Sequence, residues 1–259
     1  MPSARAIWSG SISFGLVNIP VKLYTATETK DISFTTLHAT CRTPLKRPYM
    51  CPVDNGPVDS KEMVKGYPVG KAQFVILTED EIESVRVESS AHINVNGFVE
   101  AAEIGPLLYE SSYYLGPLET SVKPFELFRQ ALLRTGKAAV AQATLWRKEH
   151  LVALRAVDGG LVLTTLYYAD EVKGRPDPPA TKPITITDDE MELAMNLVQT
   201  LATPFDPSLY RDRYREALLQ MIEAKIEGKT IEIAAKSEAP TTQDLMAALR
   251  ASVAAAKKA

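Results

Sequence analysis

Two pairs of side chains early in the chain have the spacing of metal ligands: His38-x-x-Cys41 and, after a nine-residue interval, Cys51-x-x-Asp54. Two x-x pairs at the base of a loop can close a tetrahedral zinc site. The full Cys/His set is absent, however, and Asp is an uncommon structural zinc ligand. Free thiols are therefore the favoured reading, and no metal or other cofactor is expected. Gly66-Tyr-Pro-Val-Gly70-Lys71-Ala72 approximates a phosphate loop, but it is one residue short, lacks the Ser or Thr that holds magnesium, and precedes a strand. Ser11-Ile-Ser13-Phe-Gly15 approximates a nucleophile elbow without its first glycine or a following helix. His38, His92 and His150 share no spacing with an obvious acid or nucleophile. The carboxylates of 79–110 fit helix caps better than a catalytic pair. No active site assembles, and an enzyme is not expected.

The basic residues say more. Lys22, Arg42, Lys46, Arg47, Lys61, Lys65 and Lys71 lie in the first third of the chain, and Arg147 and Lys148 fall at a predicted hairpin tip. The 259 residues carry a net charge of −3, which taken alone argues against a nucleic-acid partner. The charge is segregated, however. Residues 1–50 hold 6 Lys+Arg against 2 Asp+Glu, and 121–155 hold 7 against 2. Residues 79–120 hold 1 against 9, and 188–239 hold 6 against 11. Such blocks are either solvated faces or a basic surface on a protein that is acidic in sum.

The elements that must position these cations follow from pattern. With 46% hydrophobic and 24% charged residues, the composition is that of an ordinary globular protein, large enough to fold without disulfides. Two cysteines suit a reducing compartment. The N-terminus lacks an apolar signal core and no apolar run approaches the ~20 residues of a membrane span, so a soluble intracellular protein is expected. Residues 4–25 alternate and read as two strands broken near Gly15–Asn18. Residues 36–72, with five prolines, form a long connection. Folded back on itself, it has limbs of about 12–18 residues that span roughly 40–60 Å if extended, enough to arch over a duplex and touch phosphates without reading bases.

Further on, Phe74–Leu77, Ala91–Val95 and Tyr113–Leu115 read as strands, and Thr78-x-x-Glu81 as a helix-opening capping box. Pro124–Thr135 is an amphipathic helix stopped by Gly136. Three strands follow, over 138–147, 151–156 and 161–168, joined by Lys148–His150 and by Asp158–Gly159. After a proline-rich linker (175–183) the pattern turns helical. Thr187-x-x-Glu190 opens one helix, Asp206 with Pro207 opens a second that ends at Gly228, and 241–257 forms a short terminal helix. Strands first and helices later predict an α+β fold built on a β-barrel.

The run AIWSGSISFGLVNIPVKLYTATETKDISFTTLH (6–38) closely resembles the opening of prokaryotic Ku, the DNA-end-binding family of non-homologous end joining. The likeness continues through CRTPLKRPYMC (41–51), VKGY (64–67), FVILTEDEIE (74–83), YYLGP (113–117), KAAVAQATLWRKEHLVALR (137–155), TTLYYADEV (164–172) and FDPSLYRDRYREALLQMIEAKIEG (205–228). The resemblance implies a β-barrel core over 1–187 with 36–72 as a DNA-encircling bridge, a helical arm over 188–232 that embraces a partner, and a tail over 233–259. Two copies would form a homodimeric ring through which a duplex end threads.

The same resemblance puts Lys22, Arg42, Lys46, Arg47, Lys65, Arg147 and Lys148 on the ring lining. It makes Leu245, Met246, Leu249 and Val253 a helix that recruits an ATP-dependent DNA ligase (ligase D). The family holds ends without chemistry, in the cytoplasm of prokaryotes at the nucleoid. Two departures matter. Some relatives carry Cys-x-x-Cys where this chain has Cys51-Pro-Val-Asp54, and some carry a long Lys-rich extension where this one stops at Lys257–Lys258. Rival readings are a barrel that binds another protein through its arms, and an enzyme with an unrecognised carboxylate site.

Overall fold

A computed structural model describes residues 5–71, 73–85, 91–175 and 186–228. They fall into two compact units, residues 1–30 with 34–174 and residues 31–33 with 175–259.

The first unit is a closed seven-stranded barrel with an appended arm. Its strands are β1 (Trp8–Phe14), β2 (Val17–Thr25), β5 (His92–Glu100), β6 (Tyr109–Pro117), β7 (Lys137–Leu145), β8 (Lys148–Val157) and β9 (Gly160–Leu166). They close in the order β1-β2-β6-β9-β8-β7-β5. Neighbours are antiparallel except β1 and β5, whose parallel pairing (Ser11–His92, Ile12–Ile93, Ser13–Asn94) shuts the barrel. Period-two alternation sends Ile12, Ile19, Val21, Leu23, Ile93, Val152, Leu154, Leu161 and Leu163 inward, all essentially fully buried. Three of the four inward residues of β7, Ala139, Ala141 and Ala143, are small enough to meet those large neighbours, and Leu145 is the fourth. The interior is therefore packed, as a barrel of this size allows.

Helix α2 (Val122–Thr135) adds Phe125, Phe128 and Leu132 to the same core at i, i+3 and i+7. Gly136 closes it in the left-handed conformation (φ 67°). Its entry is pinned by buried Ser121, whose hydroxyl donates to the Pro20 carbonyl (2.5 Å) and accepts from the Leu118 N–H (3.0 Å). Among the described residues no helix is long and apolar enough to cross a membrane.

The arm runs from β2 to β5 and corrects the expectation of two extended limbs. It folds into two tight loops, closed by bridges between Leu37 and Pro44 and between Met50 and Pro57. A single 3-10 turn follows at Ser60–Glu62. Then come β3 (Lys65–Gly70) and β4 (Gln73–Leu77), an antiparallel pair. Thr78 and Glu81 form the expected capping box of α1 (Glu79–Ser84). Gly66–Gly70, the approximate phosphate loop, is strand: Lys65, Tyr67 and Gly70 pair with Leu77, Val75 and Gln73 across the hairpin, with a bulge between Pro68 and Gly70.

The β7–β8 turn is also corrected. It consists of Trp146 and Arg147, and Lys148–His150 belong to β8, paired to Leu145, Thr144 and Ala143. Barrel pairing overrides a charged triplet that reads locally as a loop.

In the second unit, α3 (Asp188–Leu201) has the expected capping box on Thr187 and Glu190. The next helix starts later than its pattern suggests. Asp206 and Pro207 open only a 3-10 turn at Pro207–Leu209, and Asp212 caps α4 (Arg213–Ile226) by accepting from the Arg215 N–H. Both helices are amphipathic, and neither buries a residue.

Candidate nucleic-acid interface

Four of the seven candidate cations lie on the arm. Its two loops share one build. In the first, the His38 N–H donates to the Thr43 carbonyl (2.9 Å) and the Arg42 N–H to the His38 carbonyl (2.7 Å). In the second, the Cys51 N–H donates to Gly56 (2.9 Å) and the Asn55 N–H to Cys51 (2.9 Å). Arg42 (φ 56°) and Asn55 (φ 50°) occupy the same left-handed position, so Arg42 stands exposed at a loop tip. Lys46 and Arg47 follow in the segment between the loops, also exposed, with the Arg47 guanidinium donating to Thr36 Oγ1 at 3.5 Å.

The first loop sets His38 Nδ1 3.1 Å from Cys41 Sγ. Hydrogen bonds from Thr43, and then from His38, lower the Cys41 thiol to about 7, so much of it is thiolate at neutral pH. Cys41 and Cys51 are free thiols. Among the described residues no group of three or more His, Cys, Asp or Glu side chains is placed to hold a metal ion.

The remaining cations sit around the base of the arm and on the barrel. Lys65, the first residue of β3, has Nζ 2.8 Å from Glu79 Oε1 on α1. Arg147, at the β7–β8 turn with φ 67°, has Nη1 4.0 Å from Glu83 Oε2 on the same helix. Lys148 begins β8, and Lys22 lies on the exposed wall of β2 beside Ser9 and Gly116. Thus α1 gathers Lys65 and Arg147 to one acidic helix, a juxtaposition invisible in spacing. Both pairs are solvent-exposed, so each is worth only about 0–1 kcal/mol and is open to exchange for a phosphate oxygen.

The turn also carries a residue the cation pattern did not flag. Trp146 lies against Tyr113 with ring centres 5.4 Å apart and planes tilted by 50°, and it meets His150 edge-on at 5.9 Å. His92 is likewise engaged: its Nδ1 lies 2.7 Å from the Ser11 hydroxyl, 81 residues away in sequence. Ser11 sits inside a regular strand paired on both sides, not on the strand-to-helix turn of a nucleophile elbow. Leu245, Met246, Leu249 and Val253 lie outside the described residues.

Such a surface offers positive charge on loop tips and strand ends. It suits contact with a phosphate backbone. Comparison with known proteins shows the family. The Ku70/Ku80 beta-barrel domain model matches residues 13–193. Proteins named "Non-homologous end joining protein Ku" align along nearly the whole chain. The one from Desulfitobacterium hafniense is 40% identical, over 96% of this chain and 87% of its own. That from Symbiobacterium thermophilum is 40% identical, over 99% of this chain but 64% of its own greater length. That from Archaeoglobus fulgidus is 39% identical, over 98% of this chain and 100% of its own. With the barrel matched from β1 into α3 and relatives aligned over 96–99% of this chain, the chain belongs to the Ku family.

Proposed function

We propose that this chain binds the ends of double-stranded DNA for non-homologous end joining. Two copies close a ring, and the duplex end threads through it without being read in sequence. The observation that carries this reading is the apolar surface left open on both arms. On the β3–β4 hairpin, Tyr67, Phe74 and Ile76 are each more than 60% exposed. A two-stranded hairpin in water is marginal by itself, so apolar residues exposed along both of its strands call for a covering surface. The helical unit is similar: Met195, Val198 and Leu201 on α3 and Tyr214 and Ile226 on α4 are exposed. A second copy supplies cover for every such surface at once through a two-fold interface.

The cations supply the rest. Seven per chain become fourteen in the pair; if about 6–10 of them meet phosphates, affinity falls ~10³–10⁵-fold between about 50 and 200 mM salt. Binding of this kind needs neither catalysis nor cofactor. Its setting is the prokaryotic cytoplasm at the nucleoid. The tail segment with Leu245, Met246, Leu249 and Val253 serves to recruit an ATP-dependent ligase (ligase D). The test is the mass in solution, by light scattering after size exclusion, with and without a short duplex. Two chains alone and one duplex per two chains are expected. A monomer that stays monomeric on DNA would refute the ring.

A further inference from the structure

The turn between β7 and β8 is made of residues that such turns disfavour. A two-residue hairpin loop of type I′ has positive φ at both positions, which is why Asn-Gly and Gly-Gly are its usual occupants. Here the occupants are Trp146 (φ 50°) and Arg147 (φ 67°), each with a Cβ that glycine would omit. Strained positions of this kind cluster where a side chain must be held for a task. The indole is held: Tyr113 and His150 contact it from two directions. It is nevertheless 50% exposed, and Arg147 and Lys148, next in the chain, bring two cations to the same tip.

We propose that Trp146 is a base-stacking platform. It receives an unpaired base at a DNA terminus while Arg147 and Lys148 hold the adjoining phosphates, so that the chain distinguishes ends with a single-stranded overhang from blunt ends. The inference rests on the DNA-end reading above. Bases inside a duplex are stacked on both faces, and an unpaired base offers a free one. Stacking on an aromatic ring is tolerant of sequence, which fits a protein that must accept any end. The competing role for Trp146 is a simple apolar lid over Tyr113, and the two roles respond differently to substitution.

Trp8 and Trp146 are the two tryptophans of the chain, so Trp8→Phe leaves Trp146 as the only indole. That protein is titrated with a blunt duplex and with the same duplex carrying a single-stranded 3′ overhang. Binding about tenfold tighter to the overhang is expected, with indole fluorescence quenched by the overhang substrate. Trp146→Leu keeps apolar cover over Tyr113 but has no aromatic face. It should lose the preference, while Trp146→Phe should recover most of it. If the Trp8→Phe protein binds both substrates equally, or Trp146→Leu keeps the preference, the stacking role is overturned and end binding stands. If neither duplex is bound by the parent chain, the end-binding reading fails and takes this one with it.

Discussion

Helix α1 holds Lys65 through Glu79 and Arg147 through Glu83, so in the absence of DNA two of the seven candidate phosphate contacts face carboxylates. Replacing both acids (Glu79→Gln with Glu83→Gln) should leave the fold intact, because exposed ion pairs contribute about 0–1 kcal/mol. Its effect on DNA should be much larger. Each cation that newly engages a phosphate steepens the dependence of log affinity on log salt by about 0.9. Two cations per chain and four per pair therefore steepen it by up to about 3.6. The assay is a salt titration of duplex binding by fluorescence anisotropy. The control is the same two-charge change at Glu110 and Glu119, which alters net charge equally. A slope that steepens for the α1 variant and not for the control is the expected outcome. Equal slopes in the two variants would refute the idea that Lys65 and Arg147 face the phosphates.

Other consequences are more local. Changing Lys46 and Arg47 together to Glu should weaken duplex binding by at least about tenfold at ~100 mM salt while the melting temperature holds; unchanged affinity would remove the arm from the contact surface. Hydrogen bonds from Arg129, and then from Gln130, hold Glu126 at about 2, below its ordinary 4.5. Because the folded value is the lower one, the stabilisation is complete above about 4.5 and is lost as pH falls from there towards 2. Urea denaturation of Glu126→Gln should therefore differ from the parent at neutral pH and converge with it in acid. A gap that persists unchanged to pH 3 would contradict this. Deleting residues 241–259 should leave duplex binding unchanged and abolish stimulation of an ATP-dependent ligase; stimulation that survives would reject the tail as the recruiting segment.

Much of the architecture was legible because short-range chemistry and tertiary packing agree there. Thr78 with Glu81 and Thr187 with Glu190 satisfy each other's backbone N–H groups within a single turn, so the cap is written in four residues. Gly136 and Gly159 sit at positive φ where a helix and a hairpin need it. The misplaced boundaries lie where pairing between distant strands decides. Lys148–His150 read as a turn because they are polar, yet β8 needs them to meet Leu145–Ala143, which pushes the turn onto Trp146 and Arg147 despite their unsuitability. Asp206 and Pro207 carry a helix-start signature that yields only a 3-10 turn, because Asp212 offers a second cap six residues later. At the candidate interface, the cations themselves were visible in composition, but their carboxylate partners were not. Glu79 and Glu83 reach Lys65 and Arg147 from a helix that joins the arm to the barrel, and no periodicity reports that.

The central claim is a closed path around the duplex, and topology of the DNA tests it most directly. Linear duplex should be retained at a salt concentration where a covalently closed circle of the same length and sequence is not, and circularising the linear DNA after binding should trap the protein on it. Equal retention on both, or free escape from the sealed circle, would contradict a ring that loads from an end.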